Sequence, residues 1–198
     1  MYLVADPDHV RGDFVPMVAA ALRGGVTAVQ LRCKDRSDRQ FLALAKELRA
    51  LTSKYDATFL VNDRLDIALA CGADGLHLGV DDLPLVDAHR IAPNLVLGYS
   101  PETDNQAELA ASHGASYLGV GPVFGTATKL DAGDAIGLET ISRRARLAGI
   151  PVVGIGGITP DNAASVLDAG AVGVAIVSAI SMHDDPEAAA RSFRESTR

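Results

Sequence analysis

Tryptophan is absent, and aromatic residues make up only 5% of the 198-residue chain. That leaves little material for base-stacking or sugar platforms. Positive charge is not in excess either: the formal net charge is −7, the opposite of the basic footprint of a nucleic-acid binder. Cysteine is limited to Cys33 and Cys71. Two cysteines make no disulfide framework and show no metal-ligand spacing, which points to a reduced, cytoplasmic setting. No run of about 18 apolar residues occurs, so no membrane span is expected. The opening Met1-Tyr-Leu-Val-Ala-Asp6 has no cationic region and reads as a strand that begins at once, not as a signal peptide. Walker and Gly-x-Gly-x-x-Gly motifs are missing, so nucleotide cofactors are not indicated. The five histidines (His9, His77, His89, His113 and His183) are scattered without metal spacing. His77 is expected to be a structural, hydrogen-bonded residue.

What is present is a globular composition, 48% hydrophobic, of a length suited to one domain over residues 1–198. Short β-branched runs alternate with amphipathic segments. Strands are predicted near 2–5, 27–31, 58–61, 75–78, 95–99, 116–120, 151–155 and 172–176. Helical patterns fall between them, near 14–23, 39–51, 64–70, 84–92, 104–113, 138–148, 160–168 and 186–196. In the second of these, Phe41, Leu44, Ala45, Leu48 and Leu51 recur at helical spacing. Thr159-Pro160-Asp161 and Asp185-Pro186-Glu187 carry helix-start chemistry: a cap, a proline in the first turn and an acid at the positive end of the dipole. Eight such units fit a (β/α)8 barrel, an α/β fold, with an open doubly wound sheet as the alternative.

The second strand ends in Gln30, Arg32 and Lys34, which alternate with Leu31 and Cys33 and therefore share one face. Two cations on a packed face require an opposite charge, because leaving a buried ion without its partner costs roughly 3–5 kcal/mol. Arginine and lysine together suit phosphate or pyrophosphate. The alternative is an internal ion pair with a local carboxylate such as Asp35. In a barrel this face opens into the C-terminal mouth, where such enzymes keep their sites.

Other strand ends supply matching groups. Asp63 and Asp82 are candidate ligands for one Mg2+, which prefers one or two carboxylates, water and substrate phosphate oxygens. Against that, Asp63 could cap the following helix and Asp82 could serve a turn. Gly156-Gly157 before a helix, with Ser178 at the next strand end, suits a phosphate; tight turns alone are the alternative. Ser100 has no adjacent histidine and is expected to donate a hydrogen bond to ligand, not to act as a nucleophile. Residues 121–137 form a long irregular stretch that reads as a lid. Within it Lys129 could close over a leaving group, or simply be solvated.

At these residues the chain resembles the thiamine-phosphate synthase family. The matching stretches are Gln30-Leu-Arg-Cys-Lys-Asp35, Val61-Asn-Asp-Arg64, Gly72-Ala-Asp-Gly-Leu-His-Leu-Gly79, Gly119-Val-Gly-Pro-Val-Phe124, Thr126-Ala-Thr-Lys129, Ile155-Gly-Gly-Ile-Thr-Pro160 and Val177-Ser-Ala-Ile180. Together and in this order they are highly specific. The resemblance implies a TIM barrel that joins an aminopyrimidine methyl diphosphate to a thiazole phosphate, releasing pyrophosphate. It implies that the pyrimidine diphosphate meets Gln30, Leu31, Arg32, Cys33, Lys34, Asn62, Ser100 and Lys129. It places Mg2+ on Asp63 and Asp82. It places the thiazole phosphate at Thr126, Ala127, Thr128, Gly157, Val177 and Ser178. Arg32, Lys34 and Lys129 would then act on the leaving group. The implied partners are these small molecules, with neither nucleic acid nor membrane, and a homo-oligomer is compatible with it.

Four places depart from the family's usual pattern, one of them Cys33, which replaces a usual charged residue but points away from Arg32. Val80 stands where glutamine is usual, Pro101-Glu102 follows Ser100 where a small residue and histidine are usual, and Gly125 replaces a proline. Two rivals share the barrel. A thiazole tautomerase-like relative would carry a histidine in the loop after the sixth strand, and none lies between 114 and 182. A non-catalytic thiazole-phosphate-binding regulator would not need Asp63, Asp82 and Lys34 together.

Overall fold

The structure, a computed structural model, describes residues 1–125 and 133–197. Eight strands form a closed parallel barrel in chain order. They are β1 (Tyr2–Ala5), β2 (Ala28–Leu31), β3 (Thr58–Asn62), β4 (Gly75–Leu78), β5 (Val96–Tyr99), β6 (Tyr117–Val120), β7 (Val152–Ile155) and β8 (Gly173–Ile176). The barrel closes where Tyr2 pairs with Ala175 and Leu3 with Ile176. The helices are α1 (Phe14–Arg23), α2 (Asp38–Ser53), α3 (Leu65–Cys71), α4 (Leu85–Ile91), α5 (Asp104–Ala110), α6 (Gly137–Ala148), α7 (Pro160–Asp168), α8 (Ser178–Ser181) and α9 (Pro186–Ser196). Among the described residues no helix is long and apolar enough to cross a membrane.

The period-two pattern of the strands divides their side chains between two packed regions. Leu3, Val29, Leu31, Phe59, Val61, Leu76, Leu78, Leu97 and Leu118 point outward into a core shared with the helices. Helix α2 shows how that layer is built. Ser37 accepts from the Gln40 backbone N–H at 3.4 Å, Gln40 Oε1 accepts from the Ser37 N–H at 3.1 Å, and the helix then buries Phe41, Ala45 and Leu48. This is a capping box followed by an apolar stripe. A smaller cluster inside the barrel holds Tyr2, Val4, Leu60 and Ala175. The alternation also turns Gly75, Gly98, Gly119 and Gly173 inward, which leaves room for large polar side chains from neighbouring strands.

Most element boundaries lie within two residues of the sequence reading, and two elements differ from it by more. Helix α5 stops at Ala110, and residues 111–114 follow as a turn. The short α8 directly after β8 had no periodic signal in the sequence, since four residues are about one turn.

Candidate active site

A cavity of about 710 Å³ opens at the C-terminal ends of the strands. Its lining includes Gln30, Arg32, Lys34, Asn62, Asp63, Asp82, Ser100, Gly157, Val177 and Ser178. Most of the residues singled out from sequence therefore meet in one place. Leu31 and Cys33 are buried in the outer core instead. Thr126, Ala127, Thr128 and Lys129 lie outside the described residues, so the middle of the expected lid does too. The described ends of that segment are pinned: Val123 and Phe124 donate from their backbones to Ile155 and Gly156, and Ile136 donates to Pro122.

The counter-ion of Arg32 within the protein is not Asp35. Arg32 Nη1 pairs with Asp6 Oδ2, and Asp6 is buried at the end of β1. Asp6 also accepts from the Asp8 backbone N–H at 3.0 Å and faces His9 Nδ1 at 3.4 Å. The pair holds the guanidinium at the rim while part of it stays open to solvent. Gln30, one layer deeper, donates from Nε2 to the Tyr2 hydroxyl at 2.6 Å.

Asp63 and Asp82 face each other across the ends of β3 and the β4–α4 loop. Asp63 does not cap α3, whose cap residue is Arg64. Its backbone sits instead in the left-handed region at φ 64°. That conformation is uncommon outside glycine and is tolerated best by Asn and Asp. Its N–H extends the sheet by donating to the His77 carbonyl at 2.9 Å. Burial, and then hydrogen bonding and repulsion from Asp82, push the Asp63 carboxyl up to about 6, while Lys34 and Arg32 pull weakly the other way. Asp82 has a turn role as well, since its Oδ2 accepts from the Gly79 N–H at 2.7 Å.

The donor set fits a hard cation. Two opposed carboxylates, with the proton affinity of Asp63 raised by burial and by Asp82, are a place where one Mg2+ would replace that proton. Among the described residues no group of three or more His, Cys, Asp or Glu could hold a metal. Such an ion would therefore complete its shell with water and substrate oxygens, as magnesium prefers.

Below the rim lies a neutral floor. His77 Nε2 is 2.8 Å from Ser100 Oγ, and its Nδ1 is 2.8 Å from the Tyr117 hydroxyl. Tyr117 meets the Tyr2 hydroxyl at 2.8 Å. Ser100 thus does have a histidine beside it, contrary to the sequence expectation: the neighbour comes from β4, across the sheet. The expectation for His77 itself holds, for it is buried and bonded at both nitrogens. A hydrolytic triad is not formed, because the third member is a tyrosine and not a carboxylate. Burial also pushes the imidazole down to about 4, far below what a general base at neutral pH requires. Burial drives Tyr2 up to about 12 and raises Tyr117 well above its ordinary value, so both phenols stay protonated.

On the opposite side, Gly156 and Gly157 have φ of 95° and 66°. A Cβ on Gly157 would lie 2.6 Å from the Gly125 carbonyl oxygen. The glycines therefore answer both to a turn and to close packing on the β6–α6 segment. Helix α7 follows, with Pro160 in its first turn and the Thr159 N–H donating to Asn162 Oδ1 at 2.8 Å.

Sequence reasoning missed two further groups. Asp6 could have been found by asking what every strand end contributes, since it closes the first strand. Arg144 had no such signal. It is buried on α6, donates to the Pro101 carbonyl at 2.8 Å and to the Glu102 carbonyl, and approaches Asp104 at 3.3 Å. It straps down the loop that follows Ser100, the same loop that departs from the family pattern.

Comparison with known proteins agrees with this geometry. Residues 1–180 match the family described as thiamine monophosphate synthase. The thiamine-phosphate synthase of Moorella thermoacetica is 51% identical over 180 residues, covering 90% of this chain and 86% of the relative. That of Archaeoglobus fulgidus is 46% identical over 198 residues, covering 100% and 93%. Among solved structures, a thiamine phosphate pyrophosphorylase from Pyrococcus furiosus superposes with a TM-score of 0.92 at 42% identity, covering 99% of this chain and 94% of that one. A 3-hexulose-6-phosphate synthase at 19% identity and a TM-score of 0.70 shares the fold alone. With the family match spanning nearly the whole chain, the chain belongs to the thiamine monophosphate synthase family.

Proposed function

We propose that this chain joins an aminopyrimidine methyl diphosphate to a thiazole phosphate, giving thiamine monophosphate and pyrophosphate, and that the reaction depends on Mg2+. The observation that supports this reading is that two unlike groups of residues, each suited to an anion, line one cavity. Arg32 and Lys34 stand with the opposed Asp63 and Asp82 on one side, and Gly157 and Ser178 stand on the other. A diphosphate suits the first and a monophosphate the second.

The residues divide the work. Asp63 and Asp82 would hold the cation, which when bound supplies positive charge to the oxygens of the leaving pyrophosphate. Arg32 and Lys34 bind those oxygens and stabilise the charge that develops as the carbon–oxygen bond breaks. The pyrimidine amino group delocalises the positive charge left on the methylene carbon. Gly157, Val177 and Ser178 anchor the thiazole phosphate so that its ring nitrogen faces that carbon and forms the new bond. Positioning two reactants in this way supplies roughly 7–11 kcal/mol of barrier lowering in favourable cases. Lys129 would join the leaving-group clamp, and Thr126, Ala127 and Thr128 the thiazole phosphate site. Neither a protein nucleophile nor a proton-shuttling histidine is required, in keeping with the low proton affinity of His77.

The tautomerase-like reading is not favoured, because it lacks its histidine after β6. The regulator reading leaves the opposed carboxylates without a purpose. Purified protein mixed with both substrates should form thiamine monophosphate and pyrophosphate with Mg2+, and lose that activity on chelation. Absence of product in both conditions would sink the synthase reading, and chelator-resistant turnover would remove the metal from it.

A further inference from the structure

The floor of the cavity is a continuous hydrogen-bonded chain crossing the barrel from β2 to the end of β5. Its members are Gln30, Tyr2, Tyr117, His77 and Ser100, linked at 2.6, 2.8, 2.8 and 2.8 Å. Each hydroxyl in it has one proton and each neutral imidazole has one N–H. We infer that this chain is a directional relay: it fixes His77 as the Nε2–H tautomer and forces Ser100 to present its own proton to the substrate.

The direction follows from proton counting. Gln30 meets Tyr2 through Nε2, which can only donate. The Tyr2 oxygen therefore accepts, and its single proton goes to its other partner, the Tyr117 oxygen. Tyr117 in turn gives its proton to His77 Nδ1. With Nδ1 accepting, the imidazole proton resides on Nε2 and is donated to Ser100 Oγ. Ser100 has accepted within the chain, so its O–H turns to the cavity that it lines. Reversing the Tyr2–Tyr117 link would leave neither of Tyr2's bonded partners to accept its proton, since the Gln30 Nε2 only donates and the Tyr117 hydroxyl would then be donating to Tyr2. Complete reversal would need Gln30 to turn its carbonyl toward Tyr2.

The surroundings are shaped for this chain. Gly98 lies in register with both His77 and Tyr117. A Cβ there would collide with the Tyr117 ring and with His77 Nδ1. On Gly119 a Cβ would come within 3.0 Å of His77 Cε1 and 3.2 Å of Ser100 Oγ. Tyr2, Tyr117 and His77 are thus positioning residues that act through Ser100. The substrate must bring a lone pair to that hydroxyl, such as an unprotonated ring nitrogen or an anionic oxygen. Identification of that lone pair with the pyrimidine diphosphate rests on the synthase reading; the polarity of the relay does not.

Nitrogen NMR of the free protein tests the polarity without any substrate. His77 should show a protonated Nε2 and a bare Nδ1, and Tyr117→Phe should shift that balance by removing the donor to Nδ1. A wild-type His77 protonated on Nδ1 would overturn the relay. Kinetics test its consequence. Ser100→Ala and Tyr117→Phe should each lower kcat/KM, Ser100→Ala by about tenfold. The double variant should be no worse than Ser100→Ala alone, because Tyr117 acts only through Ser100. Losses that multiply would overturn the coupling. If the protein makes no thiamine monophosphate at all, the tautomer of His77 still decides the inference, and the synthase reading fails separately.

Discussion

At the rim of the barrel mouth, Arg32, Lys34, Asp63 and Asp82 carry charge, and two of these charges oppose each other. One layer below, Tyr2, Gln30, His77 and Tyr117 are neutral, buried and joined end to end. The rim is incomplete as it stands: Asp63 has its carboxyl pushed up to about 6 because Asp82 and burial both disfavour its ionised form. The floor is complete, because every link in it has a donor and an acceptor. A group awaiting a counter-charge stores binding capacity and contributes little to holding the fold. A satisfied buried network does the reverse. Loss of turnover should therefore be the larger effect at the rim and loss of stability the larger effect in the floor, and each can be measured on its own.

The largest effect is expected at the rim. Asp63→Asn retains a residue that tolerates φ 64° while removing one carboxylate. Its kcat/KM should fall on the order of 10²–10³-fold, the scale for losing one electrostatic contact in a transition state. Its thermal midpoint at pH 7 should hold or rise, since a repulsive pair has been removed. Steady-state kinetics and a melting curve on the same preparation check both halves. A variant that unfolds would place Asp63 with the floor, and one that keeps its activity would take it out of the chemistry.

Gly98→Ala should show the opposite balance. The added methyl presses on Tyr117 and His77, and overpacking of this kind costs about 1–3 kcal/mol. Urea unfolding should give a lower midpoint with an unchanged slope. A midpoint equal to that of the unaltered protein would mean that the floor yields easily and is not the rigid layer described above.

The contrast also explains what could be read from sequence. Rim residues fall at strand ends, and a strand end is marked locally by turn chemistry and by the charged residues that follow Leu31, Val61 and Leu78. Arg32, Lys34, Asp63 and Asp82 were legible for that reason, as was the barrel that gathers them, and Gln30 of the floor was legible only because it shares a strand face with Arg32 and Lys34. Floor residues are chosen by what lies across the sheet. Ser100 looks solitary in its own segment, yet His77 reaches it from the neighbouring strand, and Tyr117 reaches His77 from the other side of Gly98. Nothing near these residues in the chain announces such a pairing. Arg144 is harder still. Its partners are backbone carbonyls of a loop about forty positions earlier, and a carbonyl has no sequence identity. Helix α8 escaped because one turn is too short to show a period.

The smallest expected effect is a pH dependence confined to the rim. The folded Asp63 carboxyl takes its proton at about 6, above the ordinary carboxylate range. Its contribution to stability in the metal-free protein is thus fully present at low pH and is lost as pH rises through about 6. A cation at the Asp63–Asp82 pair competes with that proton. Apparent Mg2+ affinity should therefore be level above pH 7 and weaken toward a limiting slope of about tenfold per unit below pH 6, one proton being displaced per ion. Calorimetric titrations at pH 7.5, 6 and 5 would trace this curve. The Asp82→Asn variant should bind Mg2+ more weakly throughout and shift its break to lower pH, because the repulsion that raises Asp63 is gone. The floor should take no part in it: His77 is held near 4 and stays neutral across the whole range. An affinity that does not change from pH 7.5 to 5 would mean that the shared carboxylate is not where the ion binds, and the rim would then need another reason for facing two acids at one another.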